Sequence, residues 1–223
     1  MLADLETPTF EAASLEATWL KLMARLNIDH SQARPAFADI ARRYGSEPRV
    51  YHTLAHIRQV LDDVDRLAPF ASKLAEVQLA AWLHDAVYDP RAADNEEQSA
   101  AYATQLLGQL GQPQALIAEV QRLILLTRHH ETSADDGNAH VLLDADLAIL
   151  GAAPAAYAQY AAKIRLEYAW VSNTAYTTGR MTVLKRFLQR PFIYYTAPMR
   201  RAREDMARLN MQQEIDSLSR RSY

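Results

Sequence analysis

Apolar residues recur at spacings of three and four along most of this chain, and strict alternation of apolar and polar residues is scarce. Spacings of three and four place side chains on one face of an α-helix, whereas alternation is typical of a half-buried strand. The residues between the apolar positions are mostly Ala, Leu, Gln, Glu and Arg, which favour helices. The pattern therefore predicts an all-α fold.

Glycine and proline divide the pattern into separate segments, because the six glycines and most of the nine prolines lie between the periodic stretches. Thr53, Ser72 and Asp94 are suitable N-cap residues, and Pro113 and Pro154 suit the first turn of a helix. Nine helices are predicted near residues 11–27, 32–44, 53–67, 72–86, 95–108, 113–128, 140–150, 154–172 and 178–190, and a tenth over 198–217.

The length and composition predict a single domain over residues 1–223. The 223 residues are 49% hydrophobic and 23% charged, which is enough for one sizeable core. We place this core at about residues 30–190, since the segment 198–217 is a charged amphipathic helix. That helix is expected to pack on the body of the chain or on a second copy in a homodimer.

The charge balance argues against two classes of partner. A net charge of −3 provides no basic field that would gather a nucleic-acid polymer or an anionic membrane. No run approaches about 18 apolar residues, and the acidic start of the chain lacks the apolar core of a signal peptide. The expected location is cytoplasmic.

The chain has no cysteine, so any metal must be bound by His, Asp, Glu or water. Six of the seven histidines lie near other metal-ligand residue types, and only His30 is isolated. The groups are His52 with His56, His84 with Asp85, His129 with His130, and His140 with Asp144 and Asp146.

Each of these residues also has an ordinary structural explanation, because a single histidine on a helix is usually solvated or hydrogen-bonded. His84 and Asp85 are harder to explain in this way, since they follow the apolar run "LAAWL", and Asp146 is flanked by "LL" and "LAIL". An acid in such a setting is costly unless it is paired or well hydrogen-bonded. One shared metal site accounts for all three residues.

The order and context of these segments resemble the HD superfamily of metal-dependent phosphohydrolases. The segments "HIRQVL", "WLHDAVYD" and "LLDADLAILG" match the first-histidine helix, the HD motif and the final aspartate segment in that order. Together with "YHTLAHI", "DNEEQSA" and "EYAWV…GRMTVLKRFL", they resemble a subgroup of predicted HD-type hydrolases over most of the chain.

The resemblance implies an HD-type helical bundle with a central metal site. Its ligands would be His56, His84, Asp85 and Asp146, with Asp146 preferred to Asp144. Two imidazoles and two carboxylates suit Mn²⁺, Fe²⁺, Co²⁺, Ni²⁺, Zn²⁺ or Mg²⁺. Asp85 is also expected to bridge or orient groups during catalysis, while Asp144, His52 and Glu167 are candidates for holding the ligands in place.

Other residues are candidates for proton transfer or a second ion. Glu97, close to Glu96 and Asp89, is a candidate general acid or base, although acids at the start of a helix are also favoured by the helix dipole. His129 is expected to act in catalysis or contact phosphate. His129, His130 and His140 lie between the HD pair and Asp146, where some branches of the superfamily bind a second metal ion.

The expected substrate is a small phosphorylated molecule, so the site also needs phosphate-binding groups. The candidates are Arg58, Arg128, Arg180 and His52, since arginine offers a forked donor for phosphate oxygens.

Three functions follow from the resemblance and these residues. The first is metal-dependent hydrolysis of a phosphoester or phosphoanhydride in a nucleotide-like or other phosphorylated metabolite. The second is a di-iron oxygenase, as in some relatives with the same fold. The third is a non-catalytic ligand-binding protein that a metal stabilises.

Overall fold

The computed structural model describes the backbone of residues 7–220 and the side chains of residues 12–220. Within that range the chain forms ten α-helices, two short 3-10 helices and no strand, which confirms the all-α prediction. The α-helices are α1 (Thr7–Arg25), α2 (His30–Tyr44), α3 (Leu54–Arg66), α4 (Leu74–Leu83), α5 (Asn95–Gln109), α6 (Gln114–Leu126), α7 (Gly137–Asp146), α8 (Pro154–Glu167), α9 (Asn173–Leu188) and α10 (Ala197–Arg220). The 3-10 helices are Ala68–Phe70 and Leu147–Gly151.

Helix α4 is shorter than its predicted range of 72–86, and its start is set by a distant residue. The Asn138 side chain, from α7, accepts hydrogen bonds from the backbone N–H groups of Ser72 at 2.9 Å and Lys73 at 3.0 Å. Lys73 therefore occupies the N-cap position, and the prediction that Ser72 would do so is wrong. At the other end, His84 is the C-cap residue.

Other helix starts agree with the sequence more closely. Thr53 and Asp94 are the N-cap residues of α3 and α5, as predicted, and Pro154 opens α8. Pro113 lies one position outside α6, as its N-cap. Helix α9 begins earlier than predicted, because the Ser172 side chain accepts a hydrogen bond from Ala175 N and caps it.

Helix α4 is the centre of the bundle. Its residues from Val77 to Leu83 are all buried, and α3, α5, α6 and α7 pack around it. A helix that is apolar on all sides is stable only when other elements enclose it. The Trp82 ring, wholly buried, makes edge contacts with Trp19 from α1 and Phe37 from α2. The end of α4, with His84 and Asp85, is thus held firmly by the core.

Helix α10 packs on the body of its own chain, against the 3-10 helix Leu147–Gly151 and α9. Asn210 Nδ2 donates hydrogen bonds to the carbonyl oxygens of Leu150 at 2.8 Å and Ala152 at 2.9 Å. Gly151 allows this close approach, because a Cβ atom there would lie 2.5 Å from Arg203 Cβ. The segment that follows Asp146 is thereby fixed in place.

Among the described residues, no single helix has the length and apolar character needed to cross a bilayer. Residues 137–151 and 154–167 meet that test only as a pair, and the pair is bent by 103°.

Candidate metal centre

Three helix ends bring the predicted metal ligands together. His56 lies in the first turn of α3, on the buried face that also carries Ile57 and Val60. His84 ends α4, Asp85 follows it, and Asp146 is the last residue of α7. Helices α3, α4 and α7 all pack on one another. Residues ninety positions apart in the sequence therefore meet at one point.

The ligand atoms are close enough to share one ion. His56 Nε2 lies 3.4 Å from His84 Nε2 and 3.3 Å from Asp146 Oδ1, and His84 Nε2 lies 3.5 Å from Asp146 Oδ1. Ligand bonds of about 2.1 Å at tetrahedral or octahedral angles place neighbouring ligand atoms about 3.0–3.4 Å apart. The group His56, His84 and Asp146 can therefore hold a metal ion.

Asp85 lies at the edge of this group. Its Oδ2 atom is 3.1 Å from His84 Nε2 and 3.8 Å from His56 Nε2. Both imidazoles are almost completely buried, whereas the two carboxylates are partly exposed toward a cavity. Asp85 is therefore placed to contact the same ion or a molecule bound to it.

Hydrogen bonding prepares His84 to act as a ligand. Its Nδ1 atom lies 3.0 Å from the Ala81 carbonyl oxygen, which can only accept, so Nδ1 carries the proton. With Nδ1 protonated, Nε2 is the atom directed at the cluster, and it becomes a metal ligand when an ion displaces its proton. The donor set and this tautomer fit a divalent cation.

The charges in the cluster strongly shift its pKa values. Burial opposes the charged form of His84, but Asp85 and Asp146 raise its pKa well above the usual value. Burial lowers the pKa of His56, and Asp146 only partly offsets this. For both carboxylates burial acts to raise the pKa, yet His84 and the other nearby histidines lower it. The two acids are therefore ionised, and their negative charges favour binding of a cation among the ligand atoms.

His130 is the histidine of the adjacent pair that reaches the cluster. Its Nε2 atom lies 2.8 Å from Asp146 Oδ2, the carboxylate oxygen opposite the one that faces His56 and His84. The His130 backbone has a positive φ of 52°, and its carbonyl accepts hydrogen bonds from Arg190 at 2.8 Å and the Tyr195 hydroxyl at 3.0 Å. The sequence-based prediction named His129 instead. Nothing in the segment "RHHETS" indicates which of the two histidine rings reaches the cluster.

The remaining histidines between the HD pair and Asp146 differ in position. His129 is exposed and lines the cavity beside the cluster. His140 does not line the cavity. Its Nε2 atom lies 2.9 Å from the Ser133 carbonyl, and its ring stacks on Tyr195 at 4.7 Å.

Asp144 and Asp146 have distinct roles, as the sequence-based preference for Asp146 implied. Asp144 is fully buried and accepts hydrogen bonds from the backbone N–H groups of Tyr195 and Thr196, both at 2.7 Å. It ties α7 to the start of α10 and holds the backbone next to Tyr195, which in turn contacts His130.

Glu167, a candidate for holding the ligands in place, binds the segment before α3. One of its oxygens accepts hydrogen bonds from the N–H groups of Val50, Tyr51 and His52, at 2.8, 2.8 and 3.0 Å. The other lies 2.7 Å from His52 Nδ1 and 3.0 Å from the Tyr88 hydroxyl. His52 is thus oriented by Glu167, with its ring lining the cavity.

Arg49 was not identified from the sequence, yet it joins two of the motif segments. Its guanidinium donates hydrogen bonds to the carbonyl oxygens of Asp85 at 2.7 Å, Ala86 at 3.2 Å and His52 at 3.1 Å. A single arginine before a proposed histidine motif gives no sequence signal for this role, because the three acceptors are backbone atoms.

A cavity of about 790 Å³ opens beside the cluster, between α6, α8 and α9. Of the predicted substrate-binding residues, His52, Arg128 and Arg180 line it, and Arg58 does not. Arg180 is buried in an ion pair with Glu214 of α10, at 2.8 Å. Glu97 is not among the lining residues and forms an ion pair with Arg128.

No protein-family model, curated protein or solved structure was found to match this chain.

Proposed function

We propose that this protein is a metal-dependent phosphohydrolase that cleaves a phosphoester or phosphoanhydride bond in a small phosphorylated or nucleotide-like metabolite. The observation that carries the proposal is the convergence of His56, His84 and Asp146, with Asp85 beside them, next to a cavity of about 790 Å³ that His84, Asp85 and Asp146 line. The nitrogen and oxygen donors suit Mn²⁺, Fe²⁺, Co²⁺, Ni²⁺, Zn²⁺ or Mg²⁺. A divalent ion in such a site activates water and neutralises charge on a phosphoryl group.

The residues around the cluster suit a phosphorylated substrate. Arg128 offers a forked donor at the cavity wall, and Glu97 holds it through their ion pair. Glu97 thus orients Arg128 in this proposal and is a weaker candidate for proton transfer than His129, which is exposed to the cavity. Both arginines are paired with an acid, but Arg128 is preferred to Arg180 for contact with phosphate, because its side chain is 40% exposed and that of Arg180 only 9%.

The test is metal-dependent turnover. Protein stripped with a chelator is loaded with each of the six ions, Fe²⁺ under anaerobic conditions, and assayed for phosphate release from a panel of phosphomonoesters and phosphoanhydrides. We expect turnover with at least one ion, and a loss of at least a hundredfold in His84→Ala and Asp146→Asn. His30→Ala is the matched control, because His30 is an exposed histidine at the start of α2. Equal turnover in wild type and the two cluster variants, or none with any ion, contradicts the proposal.

The di-iron oxygenase is the second candidate, and the position of His130 supports it. His130 Nε2 lies beside the Asp146 oxygen that faces away from His56 and His84, so Asp146 could bridge two ions. Two iron ions per chain after anaerobic loading, with O₂ consumption and no phosphate release, would favour the oxygenase.

A further inference from the structure

Two bands of side chains extend from the candidate metal cluster along the cavity wall, and one of the bands is aromatic. The His56 ring contacts the His52 ring at 5.8 Å, and the His52 ring contacts the Tyr88 ring at 4.3 Å. The Tyr88 hydroxyl donates a hydrogen bond to Glu167, the residue before Tyr168, and the Tyr168 ring stacks on the Trp170 ring with centres 6.4 Å apart. This aromatic band, His52–Tyr88–Tyr168–Trp170, runs from a metal ligand to the open edge of the cavity.

The second band carries two arginines and is called the cationic band. It lies next to His130, which contacts Asp146, and contains Arg190, which donates hydrogen bonds to the carbonyl oxygens of His129 and His130. Arg186 extends it along α9, and both arginines line the cavity. Glu131 pairs with Arg186 at 2.8 Å and with Arg190 at 3.5 Å, so one acid faces two arginines and the band keeps a net positive charge. The cavity therefore offers positive charge on one band and flat ring surfaces on the other.

Trp170 is the residue at the outer end of the aromatic band. Its side chain is 51% exposed, whereas the other two tryptophans, Trp19 and Trp82, are wholly buried. The Arg91 guanidinium lies over the ring at 5.4 Å, and Arg91 is itself exposed. A large flat side chain left open at the mouth of a cavity offers a stacking surface for a ring, since its contact with water is unfavourable.

We infer that Trp170 is a specificity-determining residue that stacks on a planar aromatic group of the substrate. The phosphoryl group of the same molecule lies at the metal cluster, within reach of the cationic band. The preferred substrate class is therefore a phosphate ester of a planar ring system rather than of a short aliphatic alcohol. This inference rests on the proposed phosphohydrolase function. It adds the chemical class of the leaving group, which is the part of the substrate that is esterified to phosphate.

Binding of two phosphonates that cannot be hydrolysed tests the inference directly. 8-(1-Naphthyl)octylphosphonate, called naphthylphosphonate below, and octylphosphonate, which has the same chain without the ring, are titrated calorimetrically into the metal-loaded full-length protein. We expect naphthylphosphonate to bind at least fivefold more tightly, since stacking of one ring contributes a factor of about 5–150. Trp170→Ala should lose most of this preference, and Trp170→Phe should keep most of it.

A matched control and an independent readout are available in the same molecule. Phe192 is 53% exposed, has the Arg200 guanidinium over its ring at 4.0 Å, and does not line the cavity. Phe192→Ala should therefore leave both affinities unchanged. Acrylamide quenching reports mainly on Trp170, because Trp19 and Trp82 are buried, and naphthylphosphonate should protect the fluorescence from quenching.

The outcomes separate this inference from the proposed function. Metal-dependent phosphate release with equal binding of both phosphonates, or a preference unchanged in Trp170→Ala, overturns the inference alone. A Trp170-dependent preference without any turnover supports the stacking site and contradicts the hydrolase. Absence of both phosphonate binding and turnover overturns both.

Discussion

His130 Nε2 contacts Asp146 Oδ2 at 2.8 Å, while Asp146 Oδ1 faces His56 at 3.3 Å and His84 at 3.5 Å. One oxygen of the carboxylate thus points at the cluster, and a third histidine fixes the other. Contacts of this kind orient a ligand, and their loss typically weakens metal binding by about 10–100-fold. His130 is therefore part of the candidate metal centre.

His130→Asn should weaken metal affinity by about 10–100-fold and leave the fold intact. Asparagine tolerates the positive φ of 52° at this position but is too short to reach Asp146, so the variant removes the contact without straining the backbone. The measurement is the Mn²⁺ or Zn²⁺ dissociation constant from chelator competition, with thermal unfolding as a check of the fold. His129→Ala is the control, and an equal loss of affinity there would contradict the role given to His130.

The fold class could be read from the sequence because each helix carries its own apolar period. Helix ends were harder to predict, because several depend on residues far along the chain. The start of α4 at Lys73 is an example, since Asn138 in α7 caps it. The end of α8 is another, since the helix was predicted to run to residue 172 but ends at Glu167, whose side chain binds the backbone N–H groups of residues 50–52.

His84, Asp85 and Asp146 could be predicted because acids and histidines are costly in apolar contexts unless they share a partner, whereas His56 was included on the resemblance to the HD superfamily. The residues that support them could not. Arg49 and Arg190 act through backbone carbonyl oxygens, which any sequence provides, and Trp170 is recognisable only from its exposure at the cavity mouth. Glu97 seemed to be a candidate acid or base, but its contact with Arg128 depends on how α5 packs on α6.

Asp144→Ala and Asp146→Ala should have opposite effects, the first mainly on stability and the second mainly on metal binding. Asp144 is buried and accepts two backbone N–H groups at 2.7 Å, so its removal leaves buried donors unpaired. We expect a loss of about 2–4 kcal/mol in the free energy of unfolding. Asp146→Ala should abolish metal binding with a smaller effect on the metal-free protein. Urea unfolding and metal binding of both variants check this, and a metal-binding loss in Asp144→Ala at full stability would reverse the assignment.

Gly151→Ala should destabilise the packing of α10. The added methyl group would lie 2.5 Å from Arg203 Cβ and 2.6 Å from the Arg203 carbonyl oxygen, so the backbone must move. We expect a loss of about 1–3 kcal/mol in the free energy of unfolding. Gly108→Ala is the matched control, since a Cβ atom there meets nothing within 4 Å. That substitution, in α5, should stabilise the protein by up to about 1 kcal/mol. Equal effects in the two variants would show that α10 tolerates the added methyl group.

Glu167 should make stability depend on acid pH. Burial alone would raise its pKa, but His52 and the backbone N–H groups of Val50 and Tyr51 lower it to about 2. Because the pKa is lower in the folded state than the ordinary value of 4.5, ionised Glu167 stabilises the fold above pH 4.5. This stabilisation is lost as the pH falls from 4.5 toward 2. The shift corresponds to about 3 kcal/mol at neutral pH, and about 2 kcal/mol of it is lost by pH 3.

Glu167→Gln removes this titration but keeps the shape of the side chain. Wild type should be more stable than the variant at pH 7, and the difference should shrink by about 2 kcal/mol between pH 7 and pH 3, because only wild type takes up a proton there. Urea unfolding at a series of pH values measures this difference in the free energy of unfolding. Glu47→Gln serves as the control at an exposed position outside this contact. A constant difference for Glu167→Gln would mean that this carboxylate does not stabilise the segment before α3 by its charge.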